Sequence, residues 1–228
     1  MNPSHVLMLA HNNRHLTQRA VESVLKQDIP IVLCVMNDAS TDDTSSYLNS
    51  LPEVYAVHYP SSLGVSKLWN IGLSAAFDED VEHVLVLNND IELPPHFYRI
   101  LIESNEGFIS GVSMSAREQM KEYTMEKRPH PDFSAFMIRK EVWDTVGRFN
   151  EEMVMYASDN DMHIRMHQNG IRAWGMNLPF YHERSSTIKL ASDEDRERMQ
   201  KQADADREVF KSKYGFYPWD EAYGRMFE

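Results

Sequence analysis

A run of four apolar residues at positions 84–87 leads directly into a polar tripeptide that ends in Asp90. A strand that is apolar throughout is typical of a sheet covered by helices on both faces. In open α/β sheets, ligands bind at the carboxyl ends of such strands. The arrangement also occurs earlier, where the apolar residues 31–36 lead to Asp38. Two strand ends that carry carboxylates in one sheet predict a site for a nucleotide and its metal ion.

Strands alternate with helices over the first 100 residues of the chain. This alternation predicts βαβ units in an α/β fold, with a mainly parallel, Rossmann-like sheet flanked by helices. Right-handed crossovers would place the loops that follow the strands at one edge. We expect Ser40 or Thr41 to cap the second helix. The predicted strands are residues 5–10, 31–36, 54–59 and 84–87, and the predicted helices are residues 16–25, 42–51 and 66–77.

The pattern changes in the second half of the chain. The charged segment 117–132 shows no period and is predicted to be a mobile loop, which could serve as a lid. Ser158 is expected to cap a helix that closes at Gly170. The last predicted helix is charged and continues into an aromatic segment, so we expect it to dock on the domain or to form a homodimer. Downstream of the loop, a strand is predicted at residues 133–138 and helices at residues 140–146, 158–169 and 192–213.

Composition and charge limit the classes of function. The formal net charge of −12 disfavours a nonspecific nucleic-acid binder, because such binding relies on clustered Lys and Arg. The single cysteine, Cys34, excludes an intrachain disulfide and fits a reducing compartment. No stretch approaches the roughly 20 apolar residues that span a bilayer. We therefore expect a soluble, cytoplasmic protein, and leave peripheral attachment to a membrane open.

Three side chains could bind a nucleotide and its metal. Asp38 could accept a hydrogen bond from the imide of a uracil or thymine ring, or could be only a turn residue. Asp90 could hold a divalent cation through its oxygen atoms, or could end an Asx turn before Pro94. A cation that bridges two phosphates would neutralise the charge on a departing diphosphate. His182 could be a further metal ligand, a phosphate contact or a solvated loop residue.

Asp159 lies in the first turn of the helix predicted at residues 158–169. It could point into a cleft and act as a general base that takes a proton from a hydroxyl nucleophile. In the structural alternative, it only complements the helix dipole, as Asp161 does while pairing with Arg165 one turn later.

Several motifs occur in the order typical of family 2 glycosyltransferases, and together they resemble that family over roughly residues 5–185. The resemblance implies a glycosyltransferase-A fold, a nucleotide-diphosphate-sugar donor, a divalent cation (Mn²⁺ or Mg²⁺), and transfer with inversion at the anomeric carbon. The motifs lie at residues 37–44, 63–66, 70–72, 87–94, 135–143, 146–151, 156–161 and 181–182.

Carried over position by position, the resemblance assigns roles to single residues. Asp159 would be the catalytic base, and Asp90 and His182 would hold the metal. We expect a UDP- or dTDP-sugar as the donor and a hydroxyl of a glycan or glycolipid as the acceptor; nucleic acid is a less expected acceptor. The donor-binding residues would be His11, Asn12, Asn13, Arg14, Asp38, Asn70, Asn88 and Asn89.

The sequence departs from the family pattern at two residues. Asn88 stands where the Asp-X-Asp element begins, so metal binding would rest on Asp90, His182 and the donor phosphates. Ser158 stands where a Glu often precedes the base, which leaves Asp159 in that role. The chain also lacks the Gln-X-X-Arg-Trp motif of processive synthases, so we expect transfer of a single sugar.

We expect residues 1–190 to form the catalytic domain, with a nucleotide-binding half at 1–100 and an acceptor half at 101–190. Residues 191–228 would be a helical and aromatic extension. Two alternatives stay open. One is a sugar-nucleotide nucleotidyltransferase, although such enzymes carry a Gly-rich loop where this chain has residues 11–14. The other is a catalytically inactive binding module of the same fold.

Overall fold

The computed structural model describes residues 3–120, 122–183 and 193–228. Among these residues, the strands are β1 (Ser4–Ala10), β2 (Ile31–Asp38), β3 (Val54–Tyr59), β4 (His83–Asn88), β5 (Ile91–Glu92), β6 (Phe108–Met114), β7 (Lys127–Arg128), β8 (Ala135–Arg139) and β9 (Ala173–His182). The helices are α1 (Arg14–Leu25), α2 (Thr44–Asn49), α3 (Val65–Asp78), α4 (Phe97–Glu103), α5 (Lys140–Val146), α6 (Ser158–Gln168), α7 (Asp193–Tyr214) and α8 (Glu221–Arg225).

The strands form one sheet in the order β3-β2-β1-β4-β8-β6-β9-β5, and β7 pairs with β9. The pairs β3-β2, β2-β1 and β1-β4 are all parallel, as predicted for the first half of the chain. Beyond β4 the sheet is mixed, because β8 runs antiparallel to both β4 and β6, whereas β6 and β9 are parallel. The predicted α/β fold, with a large sheet flanked by helices, is confirmed.

Both faces of the central strands β1, β4 and β8 are buried, which explains their continuous apolar runs, whereas the edge strand β3 is partly exposed. On β1, Val6 and Met8 pack in a cluster with residues of α1, whereas Leu7 and Leu9 pack on the opposite face with residues of α3. A fully buried side chain of this kind stabilises the fold by about 1.5–3 kcal/mol. The helices cover the faces of the sheet but not the ends of its strands. A ligand can therefore reach the carboxyl ends of these strands at one edge.

Four strands, β5, β6, β7 and β9, were not predicted from the sequence. β9 contains Gly175 and Pro179, two residues that argue against a strand when read locally. Its register with β6 shifts between Ser110 and Val112, which is where the regular pairing is interrupted. The segment at 117–132, predicted to be a mobile loop, contains a 3-10 turn at Arg117–Gln119 and the short strand β7, which pairs with β9. Its mobility stays a prediction.

Two helix starts differ from expectation. Neither Ser40 nor Thr41 caps α2; instead the Asp42 carboxylate accepts the amide N–H of Thr44 at 3.1 Å. Ser158 is the first residue of α6 rather than its cap, and its Oγ lies 2.7 Å from Ser66 Oγ on α3. The side chains that local sequence had assigned to capping contact other parts of the chain instead: Ser40 and Thr41 bond to Asn12, and Ser158 bonds to Ser66.

The last long helix, α7, docks on α6 of the same chain. Asp161 on α6 accepts hydrogen bonds from Lys213 Nζ at 2.5 Å and from Tyr214 Oη at 2.8 Å. Phe210 and Phe227 complete a separate apolar cluster at this junction. The docking alternative is therefore confirmed, whereas a homodimer through this segment stays a prediction. No helix within the described ranges is long and apolar enough to cross a membrane.

Candidate active site

A cleft of about 670 Å³ opens where β1, β2 and β4 end, and we call it the strand-end cleft. The side chains that follow these strands line it, as the parallel topology requires. Among the predicted site residues, it is lined by His11, Asp38, Asn88, Asn89, Asp90 and His182.

Asp38 lies at the end of β2 and holds the turn that begins α3. Its Oδ1 accepts the amide N–H of Leu63 at 2.7 Å. Its Oδ2 accepts the hydroxyl of Ser62 at 2.7 Å and the amide N–H of Gly64 at 3.3 Å. Gly64 has a φ of 82°, and a Cβ there would lie 2.3 Å from a side-chain carbon of Val154. Asp38 therefore organises one wall of the strand-end cleft, whatever it binds.

The loop after β1 contributes one side chain to the cleft. His11 Nδ1 donates to the carbonyl oxygen of Asp38 at 2.5 Å. Asn12 is turned towards the loop after β2, where its amide N–H donates to Ser40 Oγ at 2.7 Å. Asn13 precedes α1 with a φ of 55°, and the Arg14 guanidinium lies 4.9 Å from the centroid of the Tyr47 ring. Asn12, Asn13 and Arg14 shape the loop and do not line the strand-end cleft.

Asn70 was expected to bind the donor, and the structure places it elsewhere. It is buried on α3, where its Nδ2 donates to the carbonyl oxygen of Phe149 and to Glu151, both at 2.9 Å. Its Oδ1 accepts the amide N–H of Phe149 at 2.8 Å. Asn70 thus anchors the segment after α5, and it is not among the residues that line the strand-end cleft.

The polar tripeptide 88–90 begins with the last residue of β4, and its side chains serve different ends. Asn89 Nδ2 donates to Thr17 Oγ1 at 2.8 Å, which ties the tripeptide to α1. Asp90 Oδ1 lies 3.3 Å from His182 Nε2, and both side chains are mostly buried. The antiparallel pairing of β5 with β9 creates this contact, because it places Ile91 opposite His182.

Asp90 and His182 are the candidate ligands for a divalent cation. Within the described ranges, no group of three or more His, Cys, Asp or Glu side chains is arranged to hold a metal. Mg²⁺ and similar hard cations are commonly held by one or two carboxylates together with substrate phosphates and water. The donor set of one carboxylate and one imidazole fits such an ion when a phosphorylated substrate completes its coordination.

A second cleft, of about 690 Å³, lies at the start of α6, and we call it the α6 cleft. Asp159 lines it together with Asp132, His130 and Tyr223. Burial raises the pKa of the Asp159 carboxyl, the amide N–H of Asn160 partly offsets this by donating to Oδ1 at 2.9 Å, and the charge of Asp132 raises the pKa further. A carboxylate with a raised pKa facing a cleft has the properties of a general base.

The strand-end cleft and the α6 cleft adjoin each other. Val65, Asn88, Met155 and Tyr156 line both of them. Asp90 is therefore in one cleft and Asp159 in its neighbour, with a shared wall between them. The structure brings the predicted metal ligands and the predicted base to one region of the molecule, and their chemical roles stay predictions.

The chain matches Glycosyl transferase family 2 over residues 5–183. It belongs to this family. The match covers every strand of the sheet except the first residue of β1, and it ends after His182. A comparison with curated protein sequences found no match.

Many solved structures share the fold of this family 2 chain, among them the following two. One is a mannosyltransferase from Pyrobaculum calidifontis in complex with GDP-Man and Mn²⁺, with a TM-score of 0.60, 17% identity, and coverage of 82% of this chain and 59% of that chain. The other is GalNAc-T7 with UDP, GalNAc and Mn²⁺, with a TM-score of 0.62, 13% identity, and coverage of 79% and 43%. The chain spans less than two thirds of either protein, and identities this low establish the fold alone.

Several lining residues of this family 2 chain were not predicted from its sequence. Arg198, Met199 and Gln202 of α7 line the strand-end cleft. Tyr223 of α8 lines the α6 cleft, and its hydroxyl lies 3.0 Å from His163 Nδ1. All four lie beyond the segment that matches the family. No local sequence signal marks them, because each reaches its cleft only through the docking of the C-terminal helices.

Proposed function

We propose that this chain is an inverting glycosyltransferase that moves a single sugar from a nucleotide-diphosphate-sugar to a hydroxyl acceptor, with the help of a divalent cation. The observation that carries the proposal is the pair of adjoining clefts. One contains Asp38, Asp90 and His182, and the other contains Asp159. A transfer reaction needs a donor site and an acceptor site that meet at the reacting carbon.

The strand-end cleft is the proposed donor site. An ionised carboxylate offers about four acceptor positions. Three of those of Asp38 are used by the turn at residues 62–64. The remaining position could accept the imide N–H of a uracil or thymine ring, which supports a UDP- or dTDP-sugar. The similar mannosyltransferase with GDP-Man and the similar GalNAc-T7 with UDP each contain Mn²⁺.

Asp90 and His182 would hold the divalent cation, which would stabilise the negative charge of the departing diphosphate. Arg198 adds a positive charge to the same cleft. Because an anionic leaving group would otherwise leave slowly, these groups favour breaking of the bond between the anomeric carbon and the diphosphate oxygen.

The α6 cleft is the proposed acceptor site, where a hydroxyl of a glycan or glycolipid would bind. Asp159 would take the proton from that hydroxyl as its oxygen attacks the anomeric carbon. The bond to the diphosphate breaks in the same displacement, so attack from the opposite face inverts the configuration. A raised pKa makes Asp159 a stronger base than an ordinary aspartate, which suits this role.

The proposal is tested by incubating the protein with a panel of nucleotide sugars and Mn²⁺. We expect slow hydrolysis of one donor, or transfer of its sugar to a glycan. NMR of the product should show the inverted anomeric configuration. Exchange of pyrophosphate into a nucleotide sugar would instead identify a nucleotidyltransferase. If neither occurs although a nucleotide binds, the chain is an inactive binding module of this fold.

A further inference from the structure

The segment at residues 154–156 forms the wall between the two clefts. Met155 and Tyr156 line both clefts, and Val154 lines the strand-end cleft. The segment leads through Ala157, which has a φ of 64°, directly into α6 and Asp159. An Ala residue with a left-handed backbone conformation is strained and persists only where the surrounding structure holds it. The position of this segment therefore sets where the Asp159 carboxylate lies relative to the donor.

A carboxylate on α7 holds this segment. Asp206 is completely buried. Its Oδ1 accepts the amide N–H of Val154 at 3.0 Å, and its Oδ2 accepts those of Met155 at 2.8 Å and Tyr156 at 2.9 Å. Gln202 Nε2 donates to Oδ1 at 2.7 Å. All of the roughly four acceptor positions of the carboxylate are thus used.

Three consecutive amides that converge on one anion form a concave binding site for that anion. Hydrogen bonds to an ionised acceptor are about twice as strong as neutral ones. On the other side, Ser66 Oγ contacts the carbonyl oxygen of Met153 and lies 2.7 Å from Ser158 Oγ. The wall is therefore held from α3 on one side and from α7 on the other.

Docking of α7 does not depend on Asp206 alone. Asp161 contacts Lys213 and Tyr214, and Phe210 is buried in the apolar cluster at the same junction. Asp206 faces the backbone of the wall between the clefts, whereas these contacts fasten the end of the helix. If Asp206 served only to attach α7, its four hydrogen bonds would duplicate what these other contacts already do.

We propose that Asp206 is a positioning residue for the transfer reaction. It fixes the wall at residues 154–156 and so holds Asp159 in the α6 cleft, close to that wall. The C-terminal helix, which lies beyond the family match, is then a working part of the active site and not an appendage. This inference rests on the proposed function, because it concerns the base of that same reaction.

The test compares Asp206→Asn with Asp204→Asn. Asp204 is two residues away on the same helix, mostly exposed, and paired with Arg207 at 3.0 Å. In Asp206→Asn, an NH2 group replaces one carboxylate oxygen and cannot accept a hydrogen bond from a backbone N–H. Because misplacing a reacting group by about 1 Å can cost a hundredfold in rate, we expect kcat to fall by about ten- to a hundredfold. The KM for the donor should rise less than kcat falls, because the wall is only one side of the strand-end cleft. Asp38 and Asp90 are held by the sheet and do not contact Asp206.

Two results would overturn the inference. One is a kcat in Asp206→Asn equal to that of Asp204→Asn. The other is a lowered melting temperature with an unchanged kcat per folded molecule, which would mean that Asp206 only stabilises the fold. If Asp206→Asn does not fold, Asp206→Glu provides the same test, because it keeps the charge but moves it by one methylene.

Hydrogen–deuterium exchange separates this inference from the proposed function. We expect faster exchange at amides 154–156 in Asp206→Asn than in Asp204→Asn, whether or not a donor has been found. Unchanged exchange there would overturn the inference while transfer by the wild type still supports the proposed function. A wild type that transfers no sugar would contradict the proposed function itself.

Discussion

Asp159 and Asp161 lie two residues apart in α6 and differ in what surrounds their carboxylates. Burial alone would raise the pKa of Asp161, but a hydrogen bond from Lys213 and an ion pair with Arg165 outweigh it and hold the pKa below its ordinary value. For Asp159, burial prevails and the pKa is raised. The first carboxylate is therefore suited to a structural ion pair and the second to proton transfer.

Asp159→Asn should abolish transfer and leave donor binding nearly intact. A general base contributes about a hundred- to ten-thousandfold to a rate, and an amide cannot replace it. Steady-state transfer assays and calorimetric titration of the donor nucleotide measure the two effects. The surface variant Asp144→Asn is the control, and a wild-type rate in Asp159→Asn would refute the assignment of the base.

Transfer should fall with decreasing pH as Asp159 becomes protonated. Because its pKa is raised above the ordinary 3.8, this loss should begin at a higher pH than for an ordinary aspartate. His130, Arg128 and Asp132 share the α6 cleft with it. Of these, Asp132 raises the pKa through its charge, so Asp132→Asn should move the acid limb of the kcat/KM profile to lower pH. A limb that stays in place or moves upward would contradict this.

Asp90→Ala should weaken the metal-dependent binding of a nucleoside diphosphate. Asp90 supplies the carboxylate of the candidate metal site, and loss of a single supporting group at a metal site already costs about tenfold or more in affinity. Calorimetric titration of UDP with Mn²⁺ measures the effect. The same titration in EDTA is the control, where wild type and variant should agree. Equal affinities in the presence of Mn²⁺ would count against Asp90 as a ligand.

At the scale of elements, one stripe of α7 is buried against the domain and the residues beside it line a cleft. Met199, Ala203, Asp206 and Phe210 are its buried residues and recur at helical spacing. Arg198 and Gln202, beside this buried stripe, reach the strand-end cleft. A helix that looks like a solvated, charged segment therefore contributes one side of the proposed donor site.

Arg198→Ala should weaken the binding of a nucleoside diphosphate more than that of the nucleoside. Its side chain is 73% exposed and pairs with Asp195 at 2.8 Å. An exposed charge contributes about 1 kcal/mol at most, which corresponds to a loss of about fivefold in affinity.

Arg196→Ala is the matched control for Arg198. Arg196 makes the same kind of pair, with Asp193 at 2.8 Å, but does not line the cleft. Titrations of UDP and uridine at low and moderate salt distinguish the two variants. Similar losses in both would show that Arg198 acts only through the general charge of α7.

At the scale of the whole molecule, Asp161 joins the C-terminal helix to the domain. The carboxylate is completely buried and accepts from Arg165 Nε at 2.7 Å, as well as from Lys213 and Tyr214. Its pKa is depressed in the folded protein, so it stabilises the fold above the unfolded pKa, and this contribution is lost as the pH falls through the folded value.

Asp161→Asn should lower the free energy of unfolding by about 3 kcal/mol at neutral pH. This is near the low end for a broken buried ion pair, because the side chain of Lys213 is 42% exposed. Urea unfolding measures the change. Asp144→Asn removes a surface pair with Lys140 and should have little effect. Equal stabilities of the two variants would show that the buried contacts do not hold α7 in place.

Some features were predictable from short stretches of sequence. Strands β1, β2 and β4 were found because buried parallel strands are rich in consecutive apolar residues, and the partly exposed β3 from its short β-forming run. Helices α5 and α7 were predicted close to their observed bounds from local helical patterns. The positions of Asp38 and Asp90 at strand ends followed from the same patterns. Asn70 was assigned to the donor site only by its place in a motif, and the structure shows it bound to Phe149 and Glu151 instead.

The sequence by itself therefore determined the α/β class, the first four strands and the candidate carboxylates, because these depend on residues that are neighbours along the chain. Only the tertiary structure decided that β9 is a strand despite Gly175 and Pro179, that its pairing brings His182 to Asp90, and that α7 supplies Arg198 and Asp206. Burial, hydrogen-bond partners and charge at each of these residues come from segments far apart in sequence, and they exist only once the chain has packed.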